Sequence, residues 1–240
     1  MAYFGRQIAA LIPARAGSVG IPLKNLLEVA GESLVKRSVR HASSCMLIDW
    51  VYVSTDDPSA GIAAERISWE AAQAGATVIH RPAELCTGSS PTEAAMLHSL
   101  EWMEANATLP DYLVVLQPTS PFRSKRLIEG AIIACVDAYA SLVGTTRFHN
   151  FLFSHDNELK VKATFDYRHR PMRQSLTESD HVYFDNGSIY LVNVPAFRKE
   201  QCRIIQPVCL YQTDQIENIQ IDDLNDFETC KSIGPCLEGY

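Results

Sequence analysis

Apolar and polar positions along the chain switch between two periods. Gln7 to Ile12 is a short, nearly continuous apolar run of the kind made by a strand covered on both faces. It leads straight into Pro13-Ala14-Arg15-Ala16-Gly17-Ser18-Val19-Gly20-Ile21-Pro22, where proline and glycine forbid a regular element. Ser33 to Ser43 then has helical spacing, and Trp50-Val51-Tyr52-Val53-Ser54 is a β-rich run that ends in Thr55-Asp56-Asp57-Pro58. The alternation continues with a helix from about 59 to 74, a strand at 77–80, a helix at 92–105, a strand at 112–117, a helix at 124–140 and a strand at 142–146. Such a rhythm predicts an α/β fold with a mostly parallel central sheet flanked by helices, whose ligands bind beyond the carboxyl ends of the strands.

After Thr146 the rhythm breaks. The segment from about 148 to 185 carries Phe148, His149, Phe151, Phe153, Phe165, Tyr167, Arg168, His169 and Arg170, with alternation suited to a hairpin. It reads as a small β-rich excursion from one domain spanning 1–240. Strand-like stretches at 188–194 and 208–211 and a helix at about 223–232 return to the core. A chain of 240 residues, 47% of them apolar, is sufficient for one substantial core.

Composition removes several classes of function. A net charge of −7 argues against a general nucleic-acid binder, which needs a basic face. No apolar run approaches the roughly 18 residues of a membrane span, and Met1-Ala2-Tyr3-Phe4-Gly5-Arg6 lacks the pattern of a secretory signal, so a cytoplasmic location is expected. Cys45, Cys86, Cys135, Cys202, Cys209, Cys230 and Cys236 are odd in number and form no Cys-x-x-Cys pair, which points to buried thiols rather than disulfides or zinc. Charge is unevenly placed. Residues 1–40 hold six Lys or Arg against Glu28 and Glu32, while residues 211–240 hold seven acids against Lys231. One end suits a polyanion and the other a cation, although segregated surface helices would give the same pattern.

The loop after the first strand combines glycines with Arg15, Ser18 and Lys24. Glycines let backbone N–H groups turn toward one anion, and the two cations supply the charge to hold a triphosphate. The loop is neither a Walker A motif nor a Gly-x-Gly-x-x-Gly fingerprint.

Here a resemblance becomes specific. Ile12 to Leu26 is similar to the N-terminal signature of the acylneuraminate cytidylyltransferases, also called CMP-sialic acid synthetases. Four more segments match in the same order: Val53-Ser54-Thr55-Asp56, Arg81-Pro82-Ala83-Glu84-Leu85, Leu116-Gln117-Pro118-Thr119-Ser120-Pro121-Phe122-Arg123, and Asn186-Gly187-Ser188-Ile189-Tyr190. The resemblance covers nearly the whole chain and implies a Rossmann-like nucleotidyltransferase fold. It implies transfer of CMP from CTP to the anomeric hydroxyl of an acidic keto sugar, such as sialic, legionaminic or pseudaminic acid, with release of pyrophosphate.

Carried over by position, the resemblance gives Arg15, Lys24 and Asp222 catalytic roles. The nucleotide-binding set becomes Ala14, Arg15, Gly17, Ser18, Lys24, Asn25, Arg81 and Ser89, with Arg81 at the cytosine. Gln117, Arg173 and Gln174 become acceptor-sugar residues, with the Arg173 guanidinium suited to the sugar carboxylate. Asp222 becomes the ligand of a divalent Mg2+. The family commonly shows a second aspartate two residues earlier, and Gln220 stands there; Asp214, Asp223 and Asp226 are alternative carboxylates, and Asp222-Asp223 also suits the N-terminal cap of the last helix. Gly88 replaces a commonly acidic residue, and Phe148 to Phe153 lacks the expected lysine, so the acceptor is open among relatives of sialic acid. The resemblance and the aromatic excursion together imply a homodimer. Two other readings stand beside this one: a nucleotidyltransferase for another NTP or a sugar 1-phosphate, and a catalytically silent nucleotide-binding module.

Overall fold

The computed structural model describes residues 3–18, 20–149, 151–158, 160–177 and 180–237. Met1 and Ala2, Val19 of the first loop, Asn150 of the excursion and Glu238 of the acidic end lie outside the described residues. The elements run β1 (Ile8–Pro13), β2 (Glu28–Val29), β3 (Glu32–Ser33), α1 (Leu34–Ser44), β4 (Trp50–Asp56), α2 (Ile62–Gln73), β5 (Thr77–Arg81), α3 (Thr92–Ala105), β6 (Tyr112–Val115), α4 (Lys125–Cys135), β7 (Ser141–His149), β8 (Phe153–His155), β9 (Val161–Ala163), β10 (His181–Asn193), α5 (Val194–Glu200), β11 (Val208–Gln212) and α6 (Leu224–Ile233).

Seven of the strands form one sheet in the order β11-β7-β10-β6-β1-β4-β5. β1 pairs in parallel with β4 and β6, β4 with β5, and β7 with β11, whereas β10 runs antiparallel to both of its neighbours. Alternation along β1 explains the layers. Ile8, Ala10 and Ile12 pack with Val35 and Val39 of α1, Ile67 of α2 and Ile128 and Ile132 of α4. Ala9 and Leu11 point the other way, onto Met96, Leu100 and Met103 of α3 and Phe197 of α5. Successive strand residues face opposite sides, so a strand buried on both faces must be apolar throughout, as β1 is.

A third cluster joins Ile21, Val29, Leu34 and Phe122 to Ile221 and Cys230, and thereby docks the C-terminal helix α6 beside the first loop. This packing brings the basic N-terminal end and the acidic C-terminal end of the chain into contact.

Several boundaries differ from the expected ones. The fourth helix stops at Cys135 rather than Ala140, because Asp137 takes a left-handed conformation (φ 60°) while its N–H donates to the Tyr112 hydroxyl at 2.9 Å. α2 starts at Ile62, behind a short turn over Pro58–Ala60 capped by Asp57. The hairpin of β2 and β3 and the seven-residue α5 are not expected from the pattern; α5 is too short for its period to register, and it is set by the Asn193 cap and an early proline.

The excursion is a two-stranded ribbon with a hairpin at its end. β7 and β10 pair from Ser141↔Val192 out to His149↔His181, and beyond Thr145 the ribbon has left the partners that flank it in the sheet. β8 and β9 add the antiparallel hairpin. Phe165 contacts Phe151 and Phe153 edge-on at 5.0 and 5.2 Å, and Arg170 lies 4.5 Å over Phe151.

Candidate active site

The carboxyl ends of β1, β5 and β6 open into a cleft of about 320 Å³. Arg15, Ser18, Gly20, Lys24 and Asn25 line it from the first loop, Arg81 from the end of β5, and Gln117, Pro118 and Thr119 from the turn after β6. Three cations face this space, and no carboxylate is among its described lining residues. That balance favours a polyanion.

The first loop is held from several directions. The Ala16 N–H donates to Asp56 Oδ2 at 2.7 Å, and Asn25 Nδ2 donates to the Arg15 carbonyl at 2.8 Å. Arg15 Nη1 donates to the Thr87 carbonyl, which bridges the loop to the segment after β5. Lys24 is anchored through Nζ, which donates to the Ile221 carbonyl at 2.8 Å. Gly20 lies so close to the C-terminal segment that a methyl group there would stand 2.9 Å from the Asp222 carbonyl, so a side chain would push the two segments apart.

Arg81 is buried, and its Nη2 donates to the Ser54 carbonyl at 2.8 Å. Burial pulls its guanidinium below the usual arginine range; Cys86 and Asp56 oppose that shift and Arg15 adds to it. Its Nε has no hydrogen-bond partner. A buried donor without a partner costs free energy.

Gln117 is positioned from behind. Arg123, fully buried, donates through Nη2 to the Gln117 carbonyl and through Nε to the Ser188 carbonyl at 2.7 Å. The turn after β6 is thus locked to β10.

The acidic pair divides its duties. Asp223 caps α6 by accepting from the N–H groups of Asn225 and Asp226, and Asp226 Oδ2 accepts from those of Asp222 and Asp223 at 3.0 Å. The carboxylates of Asp223 and Asp226 are therefore engaged in the cap of α6. The Asp214 N–H donates to Glu217 Oε2 at 3.1 Å at the start of the turn over Gln215–Asn218. The Asp222 side chain is 78% exposed and faces Lys24, with Oδ1 3.9 Å from Nζ.

Some expected site residues lie elsewhere. Ser90, rather than Ser89, lines the cleft; Ser89 is exposed and its hydroxyl bonds with that of Thr87 at 3.2 Å. Ala14 is buried beneath the loop, and Gly17 is exposed and outside the lining. Arg173 and Gln174 sit exposed on the arm, outside the cleft, with Gln174 Nε2 donating to Met172 Sδ at 3.3 Å. Two features were not anticipated. Asp56, inside a matched motif, anchors the loop through Ala16, and the first turn of α3 brings Thr92 and Ala95 to the cleft with no side-chain cap on its N–H groups.

The cytidylyltransferase family model matches residues 9–233. The chain belongs to the cytidylyltransferase family. Among curated proteins of that name, it is 28% identical over 234 residues to the N-acylneuraminate cytidylyltransferase of Escherichia coli O18:K1:H7, a match covering 95% of this chain and 52% of the relative. The chain thus spans about half the length of that relative. It is 25% identical over 229 residues to the pseudaminic acid cytidylyltransferase of Campylobacter jejuni, covering 92% of this chain and 93% of the relative. Among solved structures, a CMP:2-keto-3-deoxy-manno-octonic acid synthetase complexed with CTP superposes with a TM-score of 0.65 at 16% identity, covering 95% and 98% of the two chains. That likeness is one of fold.

The resemblance implies magnesium, for which Asp222 would supply the carboxylate. Among the described residues no three His, Cys, Asp or Glu side chains gather into a metal-binding group. Magnesium needs only one or two carboxylates when substrate phosphates and water complete its shell, and Asp222 stands beside Lys24, a lining residue of the cleft.

Proposed function

We propose that this chain transfers CMP from CTP to the anomeric hydroxyl of an acidic keto sugar of the sialic acid type, releasing pyrophosphate. The observation that supports this most is the convergence of Arg15, Lys24, Arg81 and Gln117 on one cleft in a member of the cytidylyltransferase family. Names of the relatives point the same way, since sialic and pseudaminic acids are both acidic sugars.

In this reading Arg15, Lys24 and the loop amides hold the β- and γ-phosphates. Arg81, which lines the cleft, offers guanidinium N–H donors to the O2 and N3 acceptors of cytosine. Gln117 hydrogen-bonds the acceptor. The acceptor hydroxyl loses its proton to solvent water as its oxygen bonds to the α-phosphorus; the bond from that phosphorus to the bridging oxygen breaks, and pyrophosphate leaves with the electron pair. Magnesium, bound by Asp222, would neutralise the phosphate charge that builds as this happens. None of the described lining residues is a histidine, so the chain's own contribution is positioning and charge stabilisation.

Arg173 and Gln174 contact the acceptor only from a second copy in this reading, through a homodimer built on the arm. Phe148, Phe153, Tyr167, Met172 and Phe184 are exposed along it, and a partner would bury them. The test is to incubate CTP and Mg2+ with sialic, legionaminic, pseudaminic and octulosonic acids in turn and to read CMP-sugar formation. Conversion of one acid is expected; turnover of sugar 1-phosphates instead would overturn the reading.

A further inference from the structure

Two carboxamides from distant parts of the chain meet over one glycine. Gly187 holds a left-handed conformation (φ +65°), and its N–H donates to Asp185 Oδ1 at 3.0 Å. A methyl group on Gly187 would collide with Gln220 Nε2 and stand 3.0 Å from Gln220 Cδ and 3.1 Å from Gln117 Oε1. The missing side chain therefore makes the space that the Gln220 amide occupies beside Gln117.

This arrangement is built rather than incidental. Asn186 Nδ2 donates to Thr213 Oγ1 and to Asn218 Oδ1, both at 2.7 Å, which ties the glycine turn to the segment leading to Gln220. The Ile221 N–H donates to the Thr119 carbonyl at 2.8 Å, which ties the residue after Gln220 to the turn that carries Gln117. Arg123 clamps the carbonyls of Gln117 and Ser188 from below. The chain is thus held on both sides of Gln220, whose amide lies near that of Gln117, a lining residue of the cleft, two residues from Asp222.

We propose that Gln220 is a specificity-determining residue that, with Gln117, binds an uncharged hydroxyl of the acceptor sugar. This deepens the proposed function and rests on it. A carboxamide offers a donor and an acceptor at once, which matches a hydroxyl and does not match a carboxylate, for which its oxygen would be left facing like charge. A side chain without charge also leaves the negative acceptor free of repulsion at this point.

The test compares the full-length wild-type chain with Gln220→Ala and with Gln220→Glu, which keeps the volume and loses the donor. The acceptor used is the acidic keto sugar that the wild type converts. Both variants are expected to raise the acceptor KM about tenfold, the effect of one lost hydrogen bond to a buried partner, with the CTP KM and the Mg2+ requirement within twofold of wild type. An unchanged acceptor KM in a folded variant, or a rise in the CTP KM or in the Mg2+ requirement of equal size, overturns the role of Gln220 alone. Failure of the wild type to convert any acidic keto sugar overturns the proposed function and this inference with it.

Discussion

Lys24 and Asp222 meet across almost the whole chain: Lys24 Nζ donates to the Ile221 carbonyl at 2.8 Å and stands 3.9 Å from Asp222 Oδ1. The contact brings a cation of the first loop, which lines the cleft, against a carboxylate just before α6, so this side of the cleft takes shape only once the two ends of the chain have met. Lys24→Ala is expected to lower kcat/KM about a hundredfold, or roughly 3 kcal/mol, comparable to removing one preorganised donor from a developing oxyanion. A steady-state assay checks it, and a loss below threefold would remove Lys24 from the catalytic set.

Neighbouring aspartates should separate cleanly. Asp222→Ala removes an exposed carboxylate and should leave the melting temperature unchanged while abolishing most Mg2+-dependent activity. Asp223→Ala removes the N-terminal cap of α6 and should cost about 1 kcal/mol of stability while leaving activity near that of wild type. Melting curves and Mg2+ titrations of the two variants, measured side by side, test the division.

Asp56 should act through the loop it anchors. Asp56→Ala leaves the Ala16 N–H without its acceptor and frees the cradle, so the CTP KM should rise about tenfold with the acceptor KM little changed. Asp56→Asn retains a carbonyl oxygen and should recover part of the loss. Equal effects of the two variants would show that charge, not loop anchoring, is what Asp56 provides.

Arg123→Ala should destabilise the fold by at least about 3 kcal/mol, because it strands the carbonyls of Gln117 and Ser188, each of which accepts a hydrogen bond from a charged donor. Arg123→Lys keeps the charge but not the fork that reaches both carbonyls, and should fall between. Denaturant unfolding reads the difference.

The arm should hold two copies together. Light scattering at micromolar concentration is expected to give a dimer for the wild type and a monomer for a Phe153→Ser, Phe184→Ser double variant, both of whose altered residues are exposed on the arm. A monomeric wild type would leave Arg173 and Gln174 with no cleft to serve.

How much of this could be read from the sequence follows from the range of each interaction. The buried run of β1, the helix at 92–105 and the β4 run ending in Thr55-Asp56 are local patterns, and the structure keeps them nearly unchanged. Arg15 and Lys24 stand out in the sequence as cations of a glycine-containing loop after the first strand, and Arg81 and Gln117 come only from the resemblance; the structure places all four on one cleft. Which of Asp222 and Asp223 caps the last helix is open in the sequence, since both suit a helix start, and the capping hydrogen bonds give that role to Asp223. The turn between β5 and α3 brings Ser90 rather than Ser89 to the cleft, and nothing in a polar Gly-Ser-Ser run sets that direction. The meeting of Gln220 with Gln117 over Gly187 depends on three segments far apart in sequence, and no local pattern encodes it.

The most direct measurement follows the α-phosphorus. CTP labelled at that position, incubated with the purified chain, Mg2+ and the panel of acidic keto sugars, should pass its label to one sugar as a CMP adduct while unlabelled pyrophosphate accumulates in equal amount, with UTP, ATP and GTP giving little. Label that remains in CTP with every acid, or that transfers equally well from UTP, would contradict the account.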